Sequence, residues 1–217
     1  TFFGSVALLN NTRQIAEVNI ASSSTYSERL LPSIHFMLQV NVLGIKDVEG
    51  FAVAAGPGSF TGIRIGLSTI KSLSFASGKP VAPVSSLEAL ALKLKNERGN
   101  LVCPLIDAKK GQIYAALFDS RGKRLKEMIS QGVYSPDYFF SLLPSRKIIS
   151  FIGNGVLVYK DRIIRYCRDR ARFSSRSFFI AKEVGLLGYE ILKKNKGLKG
   201  DQIQPFYFRK SQAEENY

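Results

Sequence analysis

The 217-residue sequence predicts an α/β protein of two related halves, and three observations carry that prediction. Each half opens with β-leaning segments suited to antiparallel pairing and then alternates helical and strand patterns, the layout of a layered α/β fold. Helical stretches show apolar residues at three- and four-residue spacing, whereas strands are short apolar runs bounded by Gly, Pro and Asn. Charge divides at the same place: six Lys/Arg face five Asp/Glu through Leu92, and the remainder carries 25 against 12. The polar stretch Lys93–Asn100 lies between, so a first domain over 1–95 and a second, basic one over 96–217 are expected.

In the first half, Ser5–Asn10 and Gln14–Ala21 read as a hairpin turned by Asn10-Asn11-Thr12-Arg13. From Tyr26 to Leu43 the pattern is helical, with Leu30, Ile34 and Met37 on one stripe and Leu31, Leu38 and Val42 on a second. Pro32 falls about two turns inside that helix, or else marks its first turn, where no N–H is needed. Gly50–Ala55 is a short strand running into Gly56-Pro57-Gly58-Ser59-Phe60-Thr61-Gly62. The helix Ile63–Ser77 follows, closed by Gly78 with Pro80 behind it. Val81–Val84 is a strand, and Ser85-Ser86-Leu87-Glu88 matches a capping box for a helix over Leu87–Leu94.

The second half restarts with strands at Leu101–Asp107, Gln112–Asp119 and near Arg124–Gln131, joined by turns at Lys109-Lys110-Gly111 and Arg121-Gly122. A helix at Pro136–Leu143, a strand at Lys147–Ile152, a turn at Gly153-Asn154-Gly155 and a last helix at Phe178–Lys194 complete the chain. No sequence repeat links the halves; the relation lies in the order of elements.

Composition removes several classes of function. Two cysteines, Cys103 and Cys167, allow no disulfide framework and no Cys-x-x-Cys metal clamp. A single histidine, His35, allows no metal site or triad that needs two; it lies among Ile34, Phe36 and Met37 as a packing or interface residue. No uncharged apolar run reaches the roughly 18 residues of a membrane span, and the first residues lack a signal-peptide layout, so a cytoplasmic protein is expected. The net charge of +14 points to a polyanionic partner or to solubility.

The Gly-rich loop lies between a strand and a helix, where free N–H groups favour an anion. Gly56, Gly58, Ser59, Thr61 and Gly62 are its candidate phosphate ligands. There is no Walker lysine, and G-x-G-x-x-x-G is one residue longer than the dinucleotide fingerprint. A tight turn with close backbone packing explains the same glycines. Asp107 with Lys109 and Lys110 forms a polar hairpin tip, Cys103 and Cys167 lack a nearby base, and no acid/base pair stands out. Lys160, Arg162, Arg165, Arg168, Arg170, Arg172 and Arg176 face only Asp161 and Asp169, which makes them candidate RNA contacts. If that segment is helical, Arg165, Arg168, Arg172 and Arg176 share a stripe, with Tyr166, Phe173, Phe178 and Phe179 interleaved.

Gly56–Leu67 as a block, Pro80-Val81 and Val84–Ala91 closely resemble the TsaB (YeaZ) family. Supporting matches are Ser27–Pro32, Ile106-Asp107-Ala108-Lys109 with Tyr114, Gly153-Asn154-Gly155, Pro205–Arg209 and Ala213-Glu214. The resemblance implies an actin-like (ASKHA, ribonuclease H-like) fold of two related lobes. It further implies a bacterial, non-catalytic subunit that works with TsaD and the ATPase TsaE in forming N6-threonylcarbamoyladenosine at position 37 of ANN-decoding tRNAs. No catalytic or metal residues and no cofactor are then expected in the subunit itself, with ATP or ADP belonging to the complex.

In that family the two helices flanking the Gly-rich loop contact TsaD and can self-associate in its absence. Carried onto this chain, the interface candidates are Leu30, Leu31, Ile34, Leu38, Ile63, Leu67, Ile70 and Leu73. From the pattern alone, complete burial of both helices explains these residues equally well. The family opens with an apolar strand ending in Asp-Thr-Ser-Thr, of which only Thr1 matches, so an incomplete first strand is expected. Tyr26 replaces a common His. An actin-like ATPase or phosphotransferase using the Gly-rich loop and Asp107, and a stand-alone RNA-binding protein, are the competing readings.

Overall fold

A computed structural model describes residues 3–21, 26–95 and 100–208, with backbone only for Phe3, Tyr26 and Ser27. The matches at Thr1, Arg209 and Ala213-Glu214, and residues 96–99 of the polar stretch, lie outside the described residues. In chain order the first elements are β1 (Phe3–Asn10), β2 (Arg13–Ala21), α1 (Tyr26–Val40), β3 (Phe51–Gly56), α2 (Phe60–Ser77), β4 (Val81–Ser85) and α3 (Ser86–Leu92). Then come β5 (Leu101–Lys109), β6 (Gln112–Asp119), β7 (Lys126–Tyr134), α4 (Pro136–Ser141), β8 (Ile149–Ile152), α5 (Asn154–Cys167), β9 (Ala171–Phe173) and α6 (Ala181–Leu192).

The chain forms two compact units, one from Thr1–Ser86 with Phe179–Phe206 and the other from Leu87–Phe178 with Tyr207–Tyr217. This departs from a single division after residue 95, because the chain returns to its first unit. Three sets of bonds hold that return. Ala181 N–H donates to Ser5 Oγ at 3.2 Å, Leu198 and Val81 exchange backbone bonds of 2.8 Å, and Phe206 N–H donates to the Ala55 carbonyl at 2.7 Å. Gly188 lets α6 lie against the strands, since a Cβ there would come 2.3 Å from that of Ala52.

In the first unit, β1 and β2 make the expected hairpin, turned at Asn11 with φ 55°. The parallel pair β3–β4 is linked through α2. The apolar stripe of α1 (Leu30, Ile34 and Leu38) packs with Val6 and Leu8 of β1 and with Ile65 and Leu73 of α2. Pro32 lies inside α1, where its ring removes the bond to the Glu28 carbonyl. The helix stops at Val40 instead of Leu43. Val42 turns left-handed at φ 57°, and Leu43 N–H reaches back to the Leu38 carbonyl at 3.0 Å, which satisfies an end carbonyl and tucks Leu43 under the helix. At α2 the expected C-terminal glycine is present, Gly78 at φ 70°.

The second unit is one five-stranded sheet in the order β7-β6-β5-β8-β9. The first three strands form an antiparallel meander, and β8 and β9 run parallel to β5, reached through α4 and α5. Phe139, Phe151, Ile149, Ile163 and both cysteines fill the core between this sheet and α4 and α5. The sequence reading makes Gly153-Asn154-Gly155 a turn, and these residues in fact open α5. Gly153 stands just before the helix at φ 114°, and a Cβ there would be 2.2 Å from the Leu105 carbonyl oxygen. Only glycine lets the helix start this close to β5. Both units thus run from antiparallel strands into helix-linked parallel strands, as the order of sequence patterns predicts.

Candidate functional site

The helices on either side of the Gly-rich loop divide their apolar residues into inner and outer sets. Leu30, Ile34, Leu38 and Leu67 are each under 10% exposed. Ile63, Ile70 and Leu73 are partly buried against the cluster of Phe51, Val53, Ala55, Leu67, Val81 and Ile203. Of the eight residues expected at a partner interface, Leu31 is exposed, Ile63, Ile70 and Leu73 are partly exposed, and Leu30, Ile34, Leu38 and Leu67 are buried within the first unit. Their periodicity is that of a core stripe, which a sheet beneath the helices already occupies.

The outward residues are different ones. Phe36 is 58% exposed and Phe75 92%, with Leu31, Val40 and Phe60 also exposed. The Phe60 ring carries the Arg64 guanidinium 3.8 Å from its centre. Pro32 and Phe36 join Val18 and Ile20 of β2 in lining an open groove of about 410 Å³. The sequence signal that would have found Phe36 and Phe75 is their place opposite the stripe, where a large aromatic has no intramolecular reason to be. His35 lies exposed beside Phe36.

The Gly-rich loop is shorter than its sequence suggests. Ser59 caps α2, its Oγ accepting the Gly62 N–H at 3.3 Å, so Thr61 and Gly62 belong to the first turn of the helix. A Cβ on Gly56 would come 2.7 Å from the Phe206 carbonyl oxygen, and that backbone is the segment bonded to Ala55. Gly56 at φ 130° thus admits the returning chain. Gly58 faces Ile63, whose Cδ1 is 3.6 Å from where a Cβ would be.

The expected arginine stripe does not form. Helix α5 ends at Cys167, Arg168 takes φ 50° and ψ −128°, and Ala171–Phe173 is a strand, so Arg165, Arg168, Arg172 and Arg176 follow no common helical face. Several of these cations serve the fold. Arg170 donates to the carbonyls of Pro144 and Tyr166 at 2.6 and 3.0 Å, and Arg172 to those of Asp169 and Ala171 at 2.6 and 3.1 Å. Arg162 pairs with Asp137 at 3.5 Å, and Lys160 lies 5.3 Å from the centre of the Phe173 ring. Arg165 and Arg176 are exposed.

The remaining candidates for chemistry are bound up internally. Asp107 accepts the Lys109 N–H at 2.9 Å and the Lys109 ammonium at 2.8 Å, which raises the Lys109 pKa. Burial pushes the Cys103 thiol well up, reinforced by the nearby Cys167, and raises Cys167 as well despite Arg170. Neither thiol has the character of a nucleophile at neutral pH. Asp119 is held down at about 2, chiefly by hydrogen bonds from Arg121. Among the described residues no group of three His, Cys, Asp or Glu is placed to hold a metal, and no helix is long and apolar enough to cross a membrane.

A family model described as "TsaD: tRNA N6-adenosine threonylcarbamoyltransferase" matches residues 19–217. The tRNA threonylcarbamoyladenosine biosynthesis protein TsaB of Bacillus subtilis is 32% identical over 159 residues, 73% of this chain and 69% of that protein. TsaB of Haemophilus influenzae is 30% identical over 166 residues, 72% of this chain and 70% of that one. A Pseudomonas aeruginosa protein with similarity to peptidase YeaZ shares the fold at a TM-score of 0.82 and 24% identity, over 95% of this chain and 97% of its own. That likeness fixes the fold as the one that protein has. Relatives matching over more than two thirds of both chains are TsaB proteins, so the chain belongs to the TsaB/YeaZ family of tRNA threonylcarbamoyladenosine biosynthesis.

Proposed function

We propose that this chain pairs with TsaD, and through it works with TsaE, by the outer faces of α1 and α2. Members of the TsaB/YeaZ family are non-catalytic accessory subunits, and that is the role of this chain. The observation that carries the pairing is the exposed set Leu31, Phe36, Val40, Phe60 and Phe75 on two helices whose inner faces are already packed. Exposed aromatics concentrated on neighbouring helices mark an interaction surface more strongly than scattered aliphatics do. The same surface would bring two copies together when TsaD is absent. The tRNA meets the complex rather than this subunit alone in the cytoplasm, and ATP or ADP enters with the other subunits.

Gel filtration with light scattering tests the pairing. Mixed at micromolar concentration with TsaD, the chain is expected to elute as a complex containing both proteins. Separate elution of two unassociated species, at concentrations up to 50-fold above a micromolar Kd (about −8 kcal/mol), would overturn the reading.

A further inference from the structure

The geometry points to a second interaction surface, for the phosphate backbone of RNA, at one end of the five-stranded sheet. The pairing register lines up Lys126 of β7, Asp119 of β6, Leu101 of β5, Ile149 of β8 and Ala171 of β9 across that end. Three loops that are far apart in sequence leave or enter the sheet there, and each is basic. The β6–β7 loop carries Lys123 and Arg124, the segment leading into β8 carries Arg146 and Lys147, and the turn before β9 carries Arg168. All five side chains are exposed. With neighbouring strands about 4.8 Å apart, this row of cations runs about 19 Å across the sheet.

The loops are tied down as well as charged. Lys95 donates to the Lys123 carbonyl, Arg121 clamps Asp119 at 2.5 Å, and Arg170 holds the Pro144 carbonyl at 2.6 Å. Asp119 is thereby spent on Arg121, and Lys123, Arg124, Arg146, Lys147 and Arg168 make no salt bridge among the described residues. Lys147 is near enough to Asp119 to favour its charged form. A row of unpaired cations on fixed loops suits a polyanion of regularly spaced charge. This end is opposite the Lys109–Gly111 hairpin tip; from the stretch that sequence alone singled out it takes Arg168 and leaves out Lys160 and Arg162 of α5. The surface follows from the fold; only naming its RNA as tRNA rests on the proposed function.

Binding of a fluorescent tRNA transcript, followed by anisotropy over a series of salt concentrations, tests the assignment. The combined variant Lys123→Gln, Arg124→Gln, Arg146→Gln, Lys147→Gln is compared with the wild-type chain and with Lys160→Gln, Arg162→Gln on α5. The fourfold variant is expected to bind at least tenfold more weakly at 0.1 M salt, with the slope of log K against log salt reduced by about 3, while the α5 variant stays within twofold. Unchanged affinity and slope in the fourfold variant, or equal losses in both variants, would overturn the proposal. So would a fourfold variant that keeps RNA binding and loses TsaD, which would make this end a protein interface. Gel filtration of the same variant with TsaD separates the two readings: retained pairing with unaltered RNA binding sinks the RNA surface alone. Patch-dependent RNA binding by a wild-type chain that never pairs with TsaD sinks the functional reading and sustains the surface.

Discussion

Leu67→Glu is expected to leave the first unit unfolded at 25 °C, with loss of the cooperative thermal transition in circular dichroism. Leu67 is 4% exposed and packs with Phe51, Val53, Ala55, Val81 and Ile203. Removing a buried leucine side chain costs about 2–5 kcal/mol. Placing a carboxylate there without a partner adds several kcal/mol more, whether the group stays charged or takes up a proton. The sum is comparable with the roughly 5–15 kcal/mol that holds an ordinary domain together. A soluble Leu67→Glu protein with the wild-type melting temperature would contradict the inward placement of this face of α2. The family resemblance places Leu67 at the partner interface, where the same change would spare the fold and break the complex.

The double change Phe36→Glu with Phe75→Glu is expected to have the opposite profile. Both rings are exposed, so their loss removes little buried surface and the melting temperature stays within about 5 °C of wild type. Association with TsaD is expected to weaken at least 100-fold. Aromatic anchors at the centre of an interface contribute about 2 kcal/mol or more each, and every 1.4 kcal/mol is a factor of ten. Any homodimer of the isolated chain should dissociate in parallel, because the same surface is used. Isothermal calorimetry with TsaD reads the effect, and an affinity within threefold of wild type would place the interface elsewhere.

What the sequence made legible follows from how strongly each signal is tied to local physics. The hairpin, the strands β3 to β6 and the Gly78 stop of α2 depend on turn residues and short-range periodicity, and all were readable. Periodicity also located the apolar stripes of α1 and α2 but could not say what covers them. The covering comes from Val6, Leu8 and Phe51, which are distant in sequence. The start of α5 reads as a turn because Gly153 and Gly155 are turn residues in isolation; their purpose, approach to Leu105 of β5, is tertiary. The arginine stripe failed because Arg168 leaves the helix, a backbone choice that composition does not announce. The basic end of the sheet was hidden for the reverse reason. Its cations are spread from Lys123 to Arg168, and only strand order and register collect them.

This chain assists threonylcarbamoyl transfer without performing it. Reconstitution with TsaD, TsaE, the threonylcarbamoyl donor and an ANN-decoding tRNA, with modified adenosine measured by nucleoside mass spectrometry, tests it most directly. This chain alone is expected to give no product, the complete set full modification, and the set without the chain, or with its Phe36→Glu, Phe75→Glu variant, at least a tenfold loss. Modification by the chain alone would make it the catalyst, and an undiminished yield without it would make it dispensable; either result overturns the accessory role.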